Sequence, residues 1–105
     1  MLLSDPAALS ILNQLFELEK KISNQPLEKT LSRNLRRIRS EFESAGFKYH
    51  NPLGEKYDLT RLDCEAMTSG ETGSDLKIVE VIKPIIYHQE NGGNEIVQKG
   101  VVVVE

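Results

Sequence analysis

The chain has 105 residues, 39% of them hydrophobic and 28% charged, with a formal charge of −3. Such a length supports one domain or two very small units, and the composition fits a globular rather than a disordered chain. No apolar run is long enough to span a bilayer, and MLLSDPAALS lacks the basic flank and apolar centre of a secretion signal, so the expected compartment is the cytoplasm.

The single cysteine, Cys64, excludes an internal disulfide and a multi-cysteine metal site. It reads as a small half-buried hydrophobe. Charge is uneven: Met1 to Gln25 carries −1, Pro26 to Ala45 carries +2 and Gly46 to Glu105 carries −4. The acidic C-terminal half argues against nucleic acid as the main partner.

A first helix is predicted from Asp5, as cap, with Pro6 in the first position, to about Ser23. Its apolar positions, Ala8, Leu9, Ile11, Leu12, Leu15, Phe16, Leu18 and Ile22, cover about half the circumference, so this helix needs two partners. A second helix opens at Pro26 after Asn24 or Gln25 as cap. Its stripe, Leu27, Leu31, Leu35, Ile38, Phe42 and Ala45, spans only about 80°, and Gly46 follows as a left-handed stop. One hairpin cannot bury both faces of its first helix, whereas two hairpins paired in a four-helix bundle can, so a homodimer is expected. Its core would hold Leu12, Leu15, Leu31, Leu35, Ile38 and Phe42.

Lys29, Arg33, Arg36, Arg37 and Arg39 lie opposite the leucine stripe. The sharp reading is a nucleic-acid surface. The plain one is a solvated face with i,i+4 pairs Arg37–Glu41 and Arg39–Glu43, and it is preferred because no aromatic or single-strand motif accompanies the arginines.

Ala45 to Asp58 (AGFKYHNPLGEKYD) joins this helical part to a region of short β-type runs. Asp58 to Leu62 reads as a turn, Cys64 to Met67 as a strand, and Thr68 to Asp75 as a polar loop without the Gly-Lys-Ser/Thr of a phosphate loop. Leu76 to Lys83 is a strand ended by Pro84, and Ile85 to His88 resumes it. Glu90 to Asn94 signals a hairpin turn. Glu95 to Gln98 and Val101 to Val104 complete the set, with Lys99-Gly100 as a bulge or kink. The unbroken valine run is expected to be buried on both faces or covered by a partner. The fold class is therefore α+β: a helical dimerisation segment, residues 1–45, then a compact all-β domain, residues 46–105.

No catalytic constellation is visible. His50 and His88 lack ligand spacing, and Asp63 with Glu65 is an ordinary strand-face pair. A non-enzymatic binding protein with no cofactor and no metal is expected.

Ala45-Gly46-Phe47, followed by Pro52-Leu53-Gly54-Glu55-Lys56-Tyr57-Asp58, resembles the hinge of the GrpE family, the nucleotide exchange factors of DnaK-type chaperones. That hinge runs Gly, an apolar residue, then Gly-Glu-x-Phe-Asp-Pro. Tyr57 stands for the usual Phe and Leu59 for the usual Pro. Leu62 to Met67 is similar to the family's next segment without its histidine, and Leu9 to Leu15 (LSILNQL) to its Leu-Pro-Val-Leu-Asp-Asn-Leu helix. The resemblance covers nearly the whole chain. It implies a homodimer with a four-helix bundle, hinge residues Gly46, Pro52, Gly54, Glu55 and Asp58, and a β-domain that opens the nucleotide cleft of a DnaK-type ATPase domain in protein folding under stress. The contact would involve Lys83, Glu95, Gln98, Val102 and Val104. Lys83-Pro84-Ile85 replaces the family's Lys-Gly-Tyr, and two family arginines align with Glu95 and Gln98. An arginine contact to an acidic partner cannot be made by glutamate. The resemblance thus implies a compensating partner, weakened exchange, or a dimeric adaptor that keeps the fold and binds another protein.

Overall fold

Pro6 begins α1 (Pro6–Ile22), where a missing N–H costs no hydrogen bond, and Lys20 and Lys21 complement the helix dipole in its last turn. The second helix, α2 (Glu28–Ser44), stops where Ala45 N–H donates to the Phe42 carbonyl at 3.0 Å and Gly46 N–H to the Glu43 carbonyl at 2.9 Å. Gly46 has φ of 93° there, the left-handed cap expected of a glycine in this position. The computed structural model describes residues 6–23, 26, 28–68, 75–90 and 92–105. The expected caps Asp5, Asn24 and Gln25, stripe residue Leu27 and most of the Thr68–Asp75 loop lie outside the described residues.

Among the described residues seven strands follow: β1 (Phe47–His50), β2 (Lys56–Tyr57), β3 (Cys64–Thr68), β4 (Leu76–Lys83), β5 (Ile85–Glu90), β6 (Gly93–Gln98) and β7 (Gly100–Val104). They form a three-stranded antiparallel sheet, β1-β5-β6, and a four-stranded sheet, β2-β4-β7-β3. Within the second sheet β7 runs antiparallel to β4 and parallel to β3. Pro84 separates β4 from β5 because it cannot donate to a ladder, and the chain passes there from one sheet to the other. The protein is thus α+β, two helices followed by a β-rich region.

The inner faces of the two sheets and one side of α1 share their apolar residues. Phe16 of α1 is buried with Cys64, Ile78, Val81, Ile85, Val102 and Val104. Ala8, Leu12 and Leu15 are buried with Phe47 and Ile86, and Leu35 and Phe42 of α2 close the edge of that cluster. The boundary at residues 45 and 46 marks a change of secondary structure, and packing runs across it. This supplies the broad apolar face of α1 with its two partners inside one chain, α2 and the sheets. Leu12 and Leu15, expected in a dimer core, are therefore not available to a second copy. Leu35 and Phe42 are half-buried, whereas Leu31 and Ile38 are exposed, as are Ile11 and Leu18.

The joint, expected as a hinge, itself contains two strands. β1 pairs along its whole length with β5, and β2 pairs with β4. Gly46 accepts a hydrogen bond from Gln89 N–H at 2.8 Å, and a Cβ at Gly46 would stand 2.8 Å from the Gln89 carbonyl oxygen. Both the positive φ and this close approach require glycine. Pro52 is fully buried, and Gly54, with φ of 85°, donates to the Ile78 carbonyl at 2.8 Å.

Candidate partner-binding surface

Gly100 sets the phase of the terminal valines. It faces inward, where a Cβ would lie 3.0 Å from Ile85 Cγ1 and 3.2 Å from Cys64 Sγ. With a strand period of two, Val102 and Val104 then point into the core and Val101 and Val103 point out. Val102 is 0% and Val104 1% exposed, so these two, expected at a partner contact, cannot make one through their side chains. The outward valines are half-buried, between β3 on one side and β4 on the other.

Around them lies the exposed face of the four-stranded sheet. Glu65, Val101 and Lys83 form one cross-strand row, and Met67, Val103 and Glu80 the next. Register shifts in β4, between Ile78 and Glu80 and between Val81 and Lys83, let two consecutive residues reach the surface each time. Val79 and Glu80 are both exposed, as are Ile82 and Lys83. The result is an apolar band, Met67, Val101, Val103, Val79 and Ile82, bordered by Glu65, Glu80 and Lys83. Of the residues expected at the contact, Lys83 belongs to this face. Alternation from buried Ile78 places Val79 outward but makes Ile82 an inward residue, so Ile82 could not be placed there from sequence. Only the bulges expose it.

Glu95 and Gln98 have parted company. Both belong to β6 in the other sheet, and Glu95 is exposed, in register with His88. Gln98 is half-buried and exchanges two hydrogen bonds with Asn13 of α1, at 2.9 and 3.0 Å, while also donating to the Pro84 carbonyl at 3.0 Å. It therefore anchors α1 to the sheets and is not offered to a partner.

Two polar clusters fix the joint. Glu19 of α1 accepts from the Tyr49 hydroxyl and from Arg39 Nη1, the latter at 3.1 Å, so α1, α2 and β1 meet in one triad. Burial, then the hydrogen bond to Glu19, pushes the Tyr49 hydroxyl up to about 12. These three residues line a cavity of about 590 Å³ with Phe16, Lys20, Ser23, His50, Asn51 and Leu53. In the second cluster Arg61 donates to Asp63 and Glu55, each at 2.7 Å, and to the Lys56 carbonyl at 3.0 Å, while His50 closes on Glu55 from the other side. The Asp58 side chain accepts from the Thr60 hydroxyl and N–H, which hold its carboxyl below the ordinary range. All five expected hinge residues, Gly46, Pro52, Gly54, Glu55 and Asp58, are thus bonded or buried turn residues.

Burial pushes the Glu55 and Asp63 carboxyls up, but hydrogen bonds and charge from Arg61, with His50 also acting on Glu55, outweigh it and hold both below the ordinary range. A depressed carboxyl stabilises the fold above its unfolded-state pKa of about 4, and that contribution disappears as pH falls through the lower folded value. The melting temperature is expected to fall steeply below about pH 4. Arg61→Gln should lower it at pH 7 and flatten the acid slope, so that variant and parent converge once pH falls through the lowered folded values. A constant gap between the two at every pH would show that the ion pairs contribute nothing.

Burial likewise raises the Cys64 thiol to about 11 with the nearby Asp63 charge, leaving it a protonated core residue at neutral pH. Among the described residues no group of three His, Cys, Asp or Glu side chains is placed to hold a metal ion, and no helix is long and apolar enough to cross a membrane. Comparison with protein-family models, with curated proteins and with solved structures finds no match to this chain.

Proposed function

We propose that this chain is a GrpE-like nucleotide exchange factor, a non-enzymatic protein that binds the ATPase domain of a DnaK-type chaperone and promotes ADP release. The observation that carries the reading is the exposed apolar band of the four-stranded sheet, Met67, Val79 and Ile82 beside Val101 and Val103, with Lys83 at its border. An apolar patch rimmed by charge is the form a protein contact takes. Exchange then follows from preference: a factor that binds the open nucleotide lobe more tightly than the closed one shifts its population, by as much as the difference in affinity.

The proposal includes a homodimer with a four-helix bundle, in which Leu31 and Ile38 keep the place expected of them and Ile11 and Leu18 replace Leu12 and Leu15 on α1. Ile11 and Leu18 stand two turns apart on α1, Leu31 and Ile38 two turns apart on α2, and all four are exposed. Among the described residues they are the large apolar side chains that the hairpin leaves exposed for a second copy.

The test is release of labelled ADP from a DnaK-type ATPase, with and without this protein, together with its mass by light scattering. Acceleration by a species of two chains is the expected result. A two-chain species that binds the ATPase domain without accelerating release would leave the dimeric adaptor as the correct reading. No binding at micromolar concentrations would overturn both.

A further inference from the structure

We propose that the outer face of α2 binds the phosphate backbone of nucleic acid. The inference does not depend on the exchange-factor reading. At 100° per residue, Lys29, Arg33, Arg36, Arg37 and Ser40 fall within about 100° of arc and along about 16 Å of helix. All five are exposed. Arg33, Arg36, Arg37 and Ser40, with Glu41 on the flank, line a surface recess of about 320 Å³.

What the structure changes is the account of where these charges are neutralised. The expected pair Arg37–Glu41 is not made. Arg39 does reach Glu43, at 4.0 Å, but its shorter bond, 3.1 Å, goes inward to Glu19. Among the described residues Lys29, Arg33, Arg36 and Arg37 make no ion pair, as Lys21, Lys48, Lys56, Lys77, Lys83 and Lys99 make none; the α2 group differs from those lysines in sharing one helix face. Four unneutralised cations thus remain in one row on a chain whose net charge is −3.

The chemistry of the row favours phosphate over an acidic protein surface. Its arc contains no apolar or aromatic side chain, and protein interfaces take most of their energy from such anchors. Phosphate contacts need only charge and donors, and arginine presents both in a planar fork. A membrane surface fits less well still, because the exposed apolar line of α2, Leu31 and Ile38, points away from the arginines.

The measurement is fluorescence anisotropy of a labelled 20-nucleotide polyuridine and a labelled 20-base-pair DNA duplex against the full chain. With up to four phosphates neutralised, affinity should fall about 50- to 150-fold between 50 and 200 mM salt. The variant R33Q/R36Q/R37Q, altered only at exposed positions, should keep its circular dichroism spectrum and lose at least about tenfold in affinity at 50 mM salt. K48Q/K77Q/K99Q removes the same charge from the β-rich region and should bind as the parent does. Equal losses in both variants would reduce the effect to net charge and overturn the proposal. So would no binding of either probe at 50 mM salt, or tighter arginine-dependent binding of polyglutamate or of anionic vesicles than of nucleic acid.

Discussion

Phe47→Ala is expected to cost about 3–5 kcal/mol, a large share of the stability of a domain this size. The side chain is 0% exposed and sits with Ala8, Leu12, Leu15 and Ile86. Its ring meets Phe42 of α2 edge-on at 6.5 Å and His88 of β5 at 4.6 Å. One residue after the glycine that ends α2, it is therefore the plug between both helices and the three-stranded sheet. Truncation would leave a cavity that the elements around it cannot close, because Gly46 and the β1–β5 ladder hold the backbone in place. Part of the loss would be recovered locally. His88 Nδ1 is buried without a hydrogen-bond partner, and water entering the space could satisfy it. Thermal unfolding followed by circular dichroism should show a fall of 12 °C or more, taking about 4–8 °C per kcal/mol for a chain of this length. Leu59→Ala, at a position 92% exposed, should shift it by no more than about 0.5 kcal/mol. A loss below about 1 kcal/mol for Phe47→Ala would show that the helices do not share a core with the sheet.

Most elements were legible because each is announced by local chemistry. Pro6 and Gly46 bracket the helical part, Pro84 divides β4 from β5, and the glycines after Glu90 mark the hairpin. β1 and β2 were not legible. Phe47 to His50 is only four residues and β2 only two, and both are strands because β5 and β4 offer them ladders, a non-local cause. The packing of α1 on the sheets was not legible for a similar reason. Its wide apolar face does require two neighbours, but hydropathy cannot say whether the second is another hairpin or the chain's own sheets. The terminal valines show the limit most clearly. Four identical residues carry no alternation, so their inward and outward members are read from Gly100, whose inward side would bring a Cβ into tight contact with Ile85 and Cys64. The bulges that expose Ile82 and Lys83 together have no signature in the sequence either.

That exposed face carries the second large effect. On the proposed exchange-factor reading, the double variant M67D/I82D should abolish acceleration of ADP release, or raise the concentration needed for half-maximal effect by at least about 30-fold, as loss of a central interface contact worth about 2 kcal/mol implies. Both side chains are exposed, on strands at either side of β7, so the fold should tolerate the change and the melting temperature should move little. Two carboxylates in the middle of the apolar band would have to be desolvated without a partner for any protein to dock there. Glu95→Arg is the companion, since it restores the charge that the GrpE resemblance leads one to expect on β6 while disturbing nothing buried. Gln98→Arg is a poor substitute, because it would break the bonds to Asn13 and Pro84 and confound binding with stability. If M67D/I82D is inactive and Glu95→Arg neutral, the contact is the four-stranded face. If only Glu95→Arg changes the rate, the contact is the β5–β6 hairpin and the apolar band serves something else. If neither does while the parent accelerates release, the contact lies on the helices, and Ile11, Leu18, Leu31 and Ile38 become the residues to change next.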